Sequence, residues 1–252
     1  MGLPRRARLP GPAEHVHSDR YAAIAAAIGR QAAAEGVPVG IRHICRACAQ
    51  VVGVDGVSFC TAGDLGAAEP VYATGVGERA VELEVTVGRG PGVQALVTGE
   101  EVLVGDLTRR SCRERWPVLV SQLAPLGVQA VFAFPLVMGE VTVGVLELYR
   151  VRPLPLSADE VADGRVFADY ALAALLGGTD DESSGHHLDG MLAGSLAQQW
   201  ARVHQAVGVV STQLGTGLTP AYQRLRAHAF VTDRPLREVA DMVLEGWLRF
   251  TR

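Results

Sequence analysis

Apolar residues recur at intervals of three and four from Asp19 to Ala34 and again from Pro38 to Val52. In the second stretch Val39, Ile41, Ile44, Cys45, Cys48, Val51 and Val52 share one stripe, so two amphipathic helices are predicted to open the fold. The period then shortens. Runs at Gly56 to Thr61, Pro70 to Ala73, Val81 to Val87, Val102 to Leu107, Val128 to Val137 and Val141 to Tyr149, punctuated by Gly and Pro, predict strands. In the fifth run Val128, Ala130, Phe132, Phe134 and Leu136 take one face while Val131, Ala133 and Val137 take the other, as in a central strand covered on both sides. Gly139 and Glu140 make a short hairpin connection to the sixth run. Ser157 and Glu160 have the spacing of a capping box, and a helix is predicted beyond them through Val161, Phe167, Tyr170, Leu172 and Leu175. The stretch from Trp116 to Gly139 has no charged residue, but Pro117, Pro125, Gly127 and Pro135 interrupt any single lipid-facing helix. It reads as helix, turn and buried strand. Helices, a largely antiparallel sheet and a closing helix give an α+β sandwich.

Farther on, Leu188, Leu192, Leu196, Trp200, Val203, Val207, Val210 and Leu214 form one long apolar stripe, which predicts a helix. Thr219 and Pro220 suit the start of a second helix to Phe230, and Asp233, Arg234 and Pro235 break the chain before a third from Leu236 to Phe250. Three helices in this length form an all-α bundle. Part of the first stripe, Leu192, Leu196, Trp200 and Val203, is expected to pair with a second copy and make a homodimer.

Charge divides the chain in the same way. Residues 19–176 carry 13 Arg against 18 acids, residues 177–194 carry four acids and no Arg, and residues 195–252 carry seven Arg against four acids. The Gly-, Ser- and Asp-rich stretch Gly177 to His187 is the natural linker. The expected organisation is a flexible tail (1–18), a sheet domain (19–176), an acidic linker (177–187) and a helical domain (188–252). The 252 residues contain no Lys, which excludes Schiff-base chemistry and a phosphate-loop ammonium. Cys45 and Cys48 both fall on the apolar stripe, so this C-x-x-C reads as a pair of core thiols and not as a redox pair or half a zinc site. Cys60 and Cys112 read as structural, and four such cysteines suit a reducing, cytoplasmic setting. His186 and His187 beside Asp180, Asp181 and Glu182 read as solvated linker, and Arg89 to Gly92 as a bend before a helix. No nucleophile-and-base spacing is present. The expectation is a protein that is not an enzyme and has no cofactor, metal site or membrane span.

Two segments resemble known families. GRGPGVQALVTGEEVLVGDL (Gly88 to Leu107) followed by AFPLVMGEVTVGVLELYR (Ala133 to Arg150) resembles the signature blocks of a GAF domain, over residues 20–176. The resemblance implies a small-molecule or protein-interaction sensing module. The chain has no Asn, so the asparagine-containing motif of cyclic-nucleotide-binding members is absent. Two readings follow for Phe59, Val104, Trp116 and Phe134: they line a pocket for an apolar small-molecule ligand, or they simply fill the core of a domain that serves as a dimerisation scaffold.

Val203 to Val243 resembles the ANTAR domain, the RNA-binding module of bacterial transcription antitermination regulators. The resemblance rests on Gln205, Ala206 and Gly208, on Ala221, on Leu225, Arg226 and Ala229, and on Leu236, Val239 and Ala240. Val207 stands where the family usually has Lys, one phosphate-facing cation fewer. The implied partner is a stem-loop in a nascent transcript. Gln205, Ala206 and Gly208 would allow close approach, and Arg226, Arg234 and Arg237 would meet phosphates or loop bases. Tyr222, Arg224 and His228 complete the candidate RNA-binding set, because Arg and aromatic side chains suit unpaired bases. The alternative is a GAF-type small-molecule sensor whose helical tail dimerises or binds a protein without touching RNA.

Overall fold

A computed structural model describes residues 12–177 and 195–251. Five strands form one antiparallel sheet in the order β2-β1-β5-β4-β3, with β1 Gly56–Ala62, β2 Ala68–Gly75, β3 Val102–Val104, β4 Ala130–Met138 and β5 Val141–Arg150. The central pair is the predicted hairpin, turning at Gly139, whose φ is 64°.

The two-residue alternation of the strands sorts the core into two layers. Ala130, Phe132, Phe134 and Leu136 of β4 join Val57 and Phe59 of β1 and Leu146 and Leu148 of β5 on one face. Helices α1 (Pro12–Glu35), α2 (Ile41–Val52) and α7 (Ala158–Gly177) cover it, contributing Ile24, Ile28, Ile44, Cys45, Cys48 and Phe167. The thiols of Cys45 and Cys48 are fully buried, and burial pushes both thiol pKa values up, so they are core groups as expected. α7 begins with the predicted capping box: the Glu160 N–H donates to Ser157 Oγ at 3.2 Å, and the Ser157 N–H donates to Glu160 Oε2 at 2.7 Å.

The other face carries Val131, Ala133, Val145 and Tyr149 under α3 (Gly77–Val87), α4 (Pro91–Thr98) and α6 (Pro117–Leu123). A short helix, α5 (Arg110–Arg115), precedes α6. Val81 to Val87, predicted as a strand, is the second half of α3. Alternation in VELEVTV imitates a strand, but the buried positions Ala80, Val81, Glu84 and Val85 follow helical spacing and Gly88 caps the helix at φ 69°. α1 starts at Pro12 rather than Asp19, and β3 ends at Val104 rather than Leu107.

Three further helices, α8 (Ser195–Leu214), α9 (Leu218–Val231) and α10 (Leu236–Leu244), form the predicted bundle and dock on the same side as α3. Their cores are continuous: Val203, Ala206, Val207, Val210, Tyr222 and Leu225 belong to the cluster that holds Ala68 and Ala73 of β2 and Val81 of α3. At Val203 this differs from the expectation that Leu192, Leu196, Trp200 and Val203 join two copies: Val203 is 1% exposed because α9, α10 and β2 cover α8 there inside one chain. Leu192 and most of the expected linker lie outside the described residues, and of Leu196 only the backbone is described. No described helix is long and apolar enough to cross a membrane.

Candidate functional site

The Gly-rich bend between α3 and α4 sits over the centre of the sheet, where two glutamates are buried. Glu84 of α3 is 3% exposed and Glu147 of β5 is 2% exposed. The glycines make room for them. A Cβ on Gly90 would lie 2.4 Å from the Glu84 carboxyl carbon, and one on Gly92 would lie 2.3 Å from that of Glu147. Neither glycine has a positive φ in the left-handed region, so space and not backbone freedom requires them.

Glu84 Oε1 accepts the Val93 N–H at 2.9 Å, so the start of α4 is capped by the protein's own carboxylate. The bend at Arg89 to Gly92 is therefore closed by an internal carboxyl. Ser58 Oγ donates to Glu147 Oε2 at 3.4 Å and pairs with the Tyr149 hydroxyl at 3.0 Å. Glu147 Oε1 meets no donor among the described residues other than a proton shared with the neighbouring Glu84 carboxyl. Burial holds both carboxyl pKa values above the usual carboxylate range; the charge of Glu84 pushes Glu147 further, and amide donors partly offset the shift at Glu84. The pair retains a proton more readily than a free carboxylate would; burial raises the Tyr149 hydroxyl and the Cys60 thiol beside it, and the pair's charge adds to both shifts.

The four predicted pocket residues do not meet. Phe59 and Phe134 point into the α1/α2/α7 layer, while Val104 and Trp116 belong to the opposite layer, with the sheet between them. Period-two alternation forbids a common pocket here, and each fills core. Among the described residues no group of three or more His, Cys, Asp or Glu is arranged to hold a metal.

The predicted RNA-binding residues divide into three groups. Ala206 and Tyr222 are buried in the shared core. Arg226 and Arg237 hold the bundle to α3. Arg226 Nε donates to the Thr86 carbonyl at 3.2 Å at the C-terminus of α3, its guanidinium lying over the Tyr222 ring at 5.5 Å, and Arg237 pairs with Glu82. His204 of α8 pairs with Glu69 of β2 at 2.9 Å and adds a third tie. Gln205, Arg224 and Arg234 are exposed, Gly208 is half-buried, and His228 is half-buried against Phe250 with ring centroids 5.5 Å apart. Arg234 pairs with Glu238 one turn along α10 at 3.0 Å. Val207, read as a missing surface cation, is 1% exposed; in this arrangement its position faces the core.

Trp247 was not among the predicted site residues. α10 stops at Leu244 instead of running to Phe250, Gly246 turns the chain at φ 81°, and the indole is left 80% exposed, two positions before the exposed Arg249. Glu245-Gly246 was the available signal, because a glycine after a charged residue is a common helix stop.

Among solved structures, the chain is similar to the GAF domain of a phosphoenolpyruvate-protein phosphotransferase from Acinetobacter, at 13% identity, 64% of this chain, 93% of that chain and a TM-score of 0.47. It is similar to the corresponding domain from Coxiella burnetii at 11% identity, with the same coverage and a TM-score of 0.46. A domain of a two-component sensor histidine kinase protein from Sinorhizobium meliloti is similar at 18% identity over 54% of this chain and 87% of that chain, with a TM-score of 0.42. No curated protein matches. The GAF-domain family model matches residues 40–175, from the start of α2 almost to the end of α7, and by that match over more than half its length the chain belongs to the GAF-domain family.

Proposed function

We propose that this chain is a sensory regulator whose GAF domain is coupled to a C-terminal RNA-binding bundle that acts in transcription antitermination by holding a stem-loop. The supporting observation is the bundle's division of labour. Of the ten positions that carry the ANTAR resemblance, six, Ala206, Ala221, Leu225, Ala229, Val239 and Ala240, are fully buried and build its core. Arg224, Arg234 and Arg249, with the exposed Trp247, remain on its surface, where guanidinium groups can pair with phosphates and an indole can stack on an unpaired base. This activity is binding and needs no reaction.

A second reading has its own support. Arg226 and Arg237 serve docking, so the bundle can also be read as a fixed lid on the GAF domain that binds no RNA. Gel-shift titration of the full chain against hairpins with short unpaired loops separates the two. The RNA reading predicts a shifted band that weakens roughly fivefold or more in Trp247→Ala, at about 1–3 kcal/mol per stacked base. A wild-type chain that shifts no hairpin at low salt supports the lid.

A further inference from the structure

The surface between the end of α3, α6 and α9 holds a groove of about 470 Å³, within the range of small-molecule sites of roughly 300–1,000 Å³. Val87, Val118 and Ala227 make its aliphatic floor, and Phe230, 43% exposed, stands at its side. Arg89 and Arg226 are its charged groups, and the remaining lining is neutral, so no carboxylate answers them. Arg89 is exposed and has no hydrogen bond or ion pair among the described residues. Arg226 uses Nε on the Thr86 carbonyl, which leaves its terminal nitrogens without a hydrogen-bond partner among the described residues. Two cations, an apolar floor and an aromatic wall therefore converge where the GAF domain meets the bundle.

We propose that this groove binds a small aromatic carboxylate, its anionic head between Arg89 and Arg226 and its ring against Phe230. An Arg fork matches a carboxylate in geometry as well as charge. A nucleotide fits less well, because its sugar and base edges would leave polar groups against Val87, Val118 and Ala227. The site differs from the expected GAF pocket. It lies outside α3, and it exists only while the bundle is docked, so an occupant favours the docked arrangement by mass action. The inference is independent of the RNA reading.

Isothermal titration of the full chain with 2-naphthoate tests it. The expected result is saturable binding of one molecule per chain, about tenfold weaker in Arg89→Gln, weaker in Phe230→Ala, and at least tenfold weaker for the neutral 2-naphthamide. Circular dichroism establishes that both variants fold. Arg226 is left intact because it also holds the docked helices. Arg165→Gln, on the α7 side of the molecule, should bind like the wild type. The proposal is overturned by the absence of saturable binding up to low millimolar naphthoate, by unchanged affinity in Arg89→Gln and Phe230→Ala, or by equal binding of the amide. It is equally overturned if Arg89→Gln weakens a hairpin RNA and leaves naphthoate unaffected, which would assign the groove to RNA.

Discussion

The hydroxyl of Tyr222 on α9 is buried with no hydrogen-bond partner among the described residues, so on folding it gives up its hydration without a protein partner in return. Its ring supports the Arg226 guanidinium; its oxygen is dispensable. Tyr222→Phe should therefore raise the midpoint of chemical denaturation, by the equivalent of about 1 kcal/mol, and leave RNA affinity unchanged. A loss of stability would mean that the hydroxyl has a partner. The buried carboxyl pair makes a second prediction. Glu84 and Glu147 have raised native pKa values, so the stability tied to their protonation is full below the ordinary carboxylate range and is lost as pH rises through the raised values. Glu147→Gln supplies permanent N–H donors facing Glu84 and keeps an oxygen for Ser58. Denaturation across pH should find the variant more stable than the wild type at pH 8, by roughly 1–3 kcal/mol, with the gap closing toward pH 4. Equal curves at every pH would show that the pair does not titrate with folding.

Gly88 and Gly53 make a matched comparison at the level of helix ends. Both cap a helix in the left-handed region, at φ 69° for α3 and 67° for α2. A Cβ on Gly53 meets nothing within 4 Å, whereas one on Gly88 would lie 1.6 Å from a terminal nitrogen of Arg226. Gly53→Ala should cost about 1 kcal/mol of backbone strain, and Gly88→Ala about 1–2 kcal/mol more because the bundle's anchor is displaced. In an Arg226→Ala background that extra cost should vanish, a double-mutant cycle read by thermal denaturation. Persistence of the difference would mean that Arg226 does not rest on Gly88.

Elements were legible where local chemistry decides them. Ser157 and Glu160 announce the start of α7, Gly139 the central hairpin, and Cys45 and Cys48 a buried stripe. They were illegible where two periods coincide, as in VELEVTV, where tertiary packing chose the helix. The role of the GRGPG glycines was also hidden, because it depends on Glu84 and Glu147, which reach them from α3 and from a distant strand.

Taken whole, the molecule is a GAF domain with its α3 side partly covered by a bundle, pinned through His204–Glu69, Arg226–Thr86 and Arg237–Glu82. Periodicity, charge and the Gly177 to His187 stretch separated the two parts in the sequence, but none of them revealed that two of the Arg residues read as RNA-binding anchor one part to the other. The apolar stripe of α8 was visible for the same reason that its use was not: a helix face shows that it needs cover, not which surface supplies it. On the proposed function, the cations left on the bundle surface bind RNA. Fluorescence anisotropy of a labelled hairpin, titrated with the full chain over a series of salt concentrations, tests it most directly. If phosphates meet these guanidinium groups, affinity falls linearly on a log–log plot as salt rises. In Arg224→Ala/Arg234→Ala the slope should be shallower by about one for each phosphate that no longer meets a guanidinium. Affinity independent of salt, or a double variant with the wild-type slope and affinity, would contradict it.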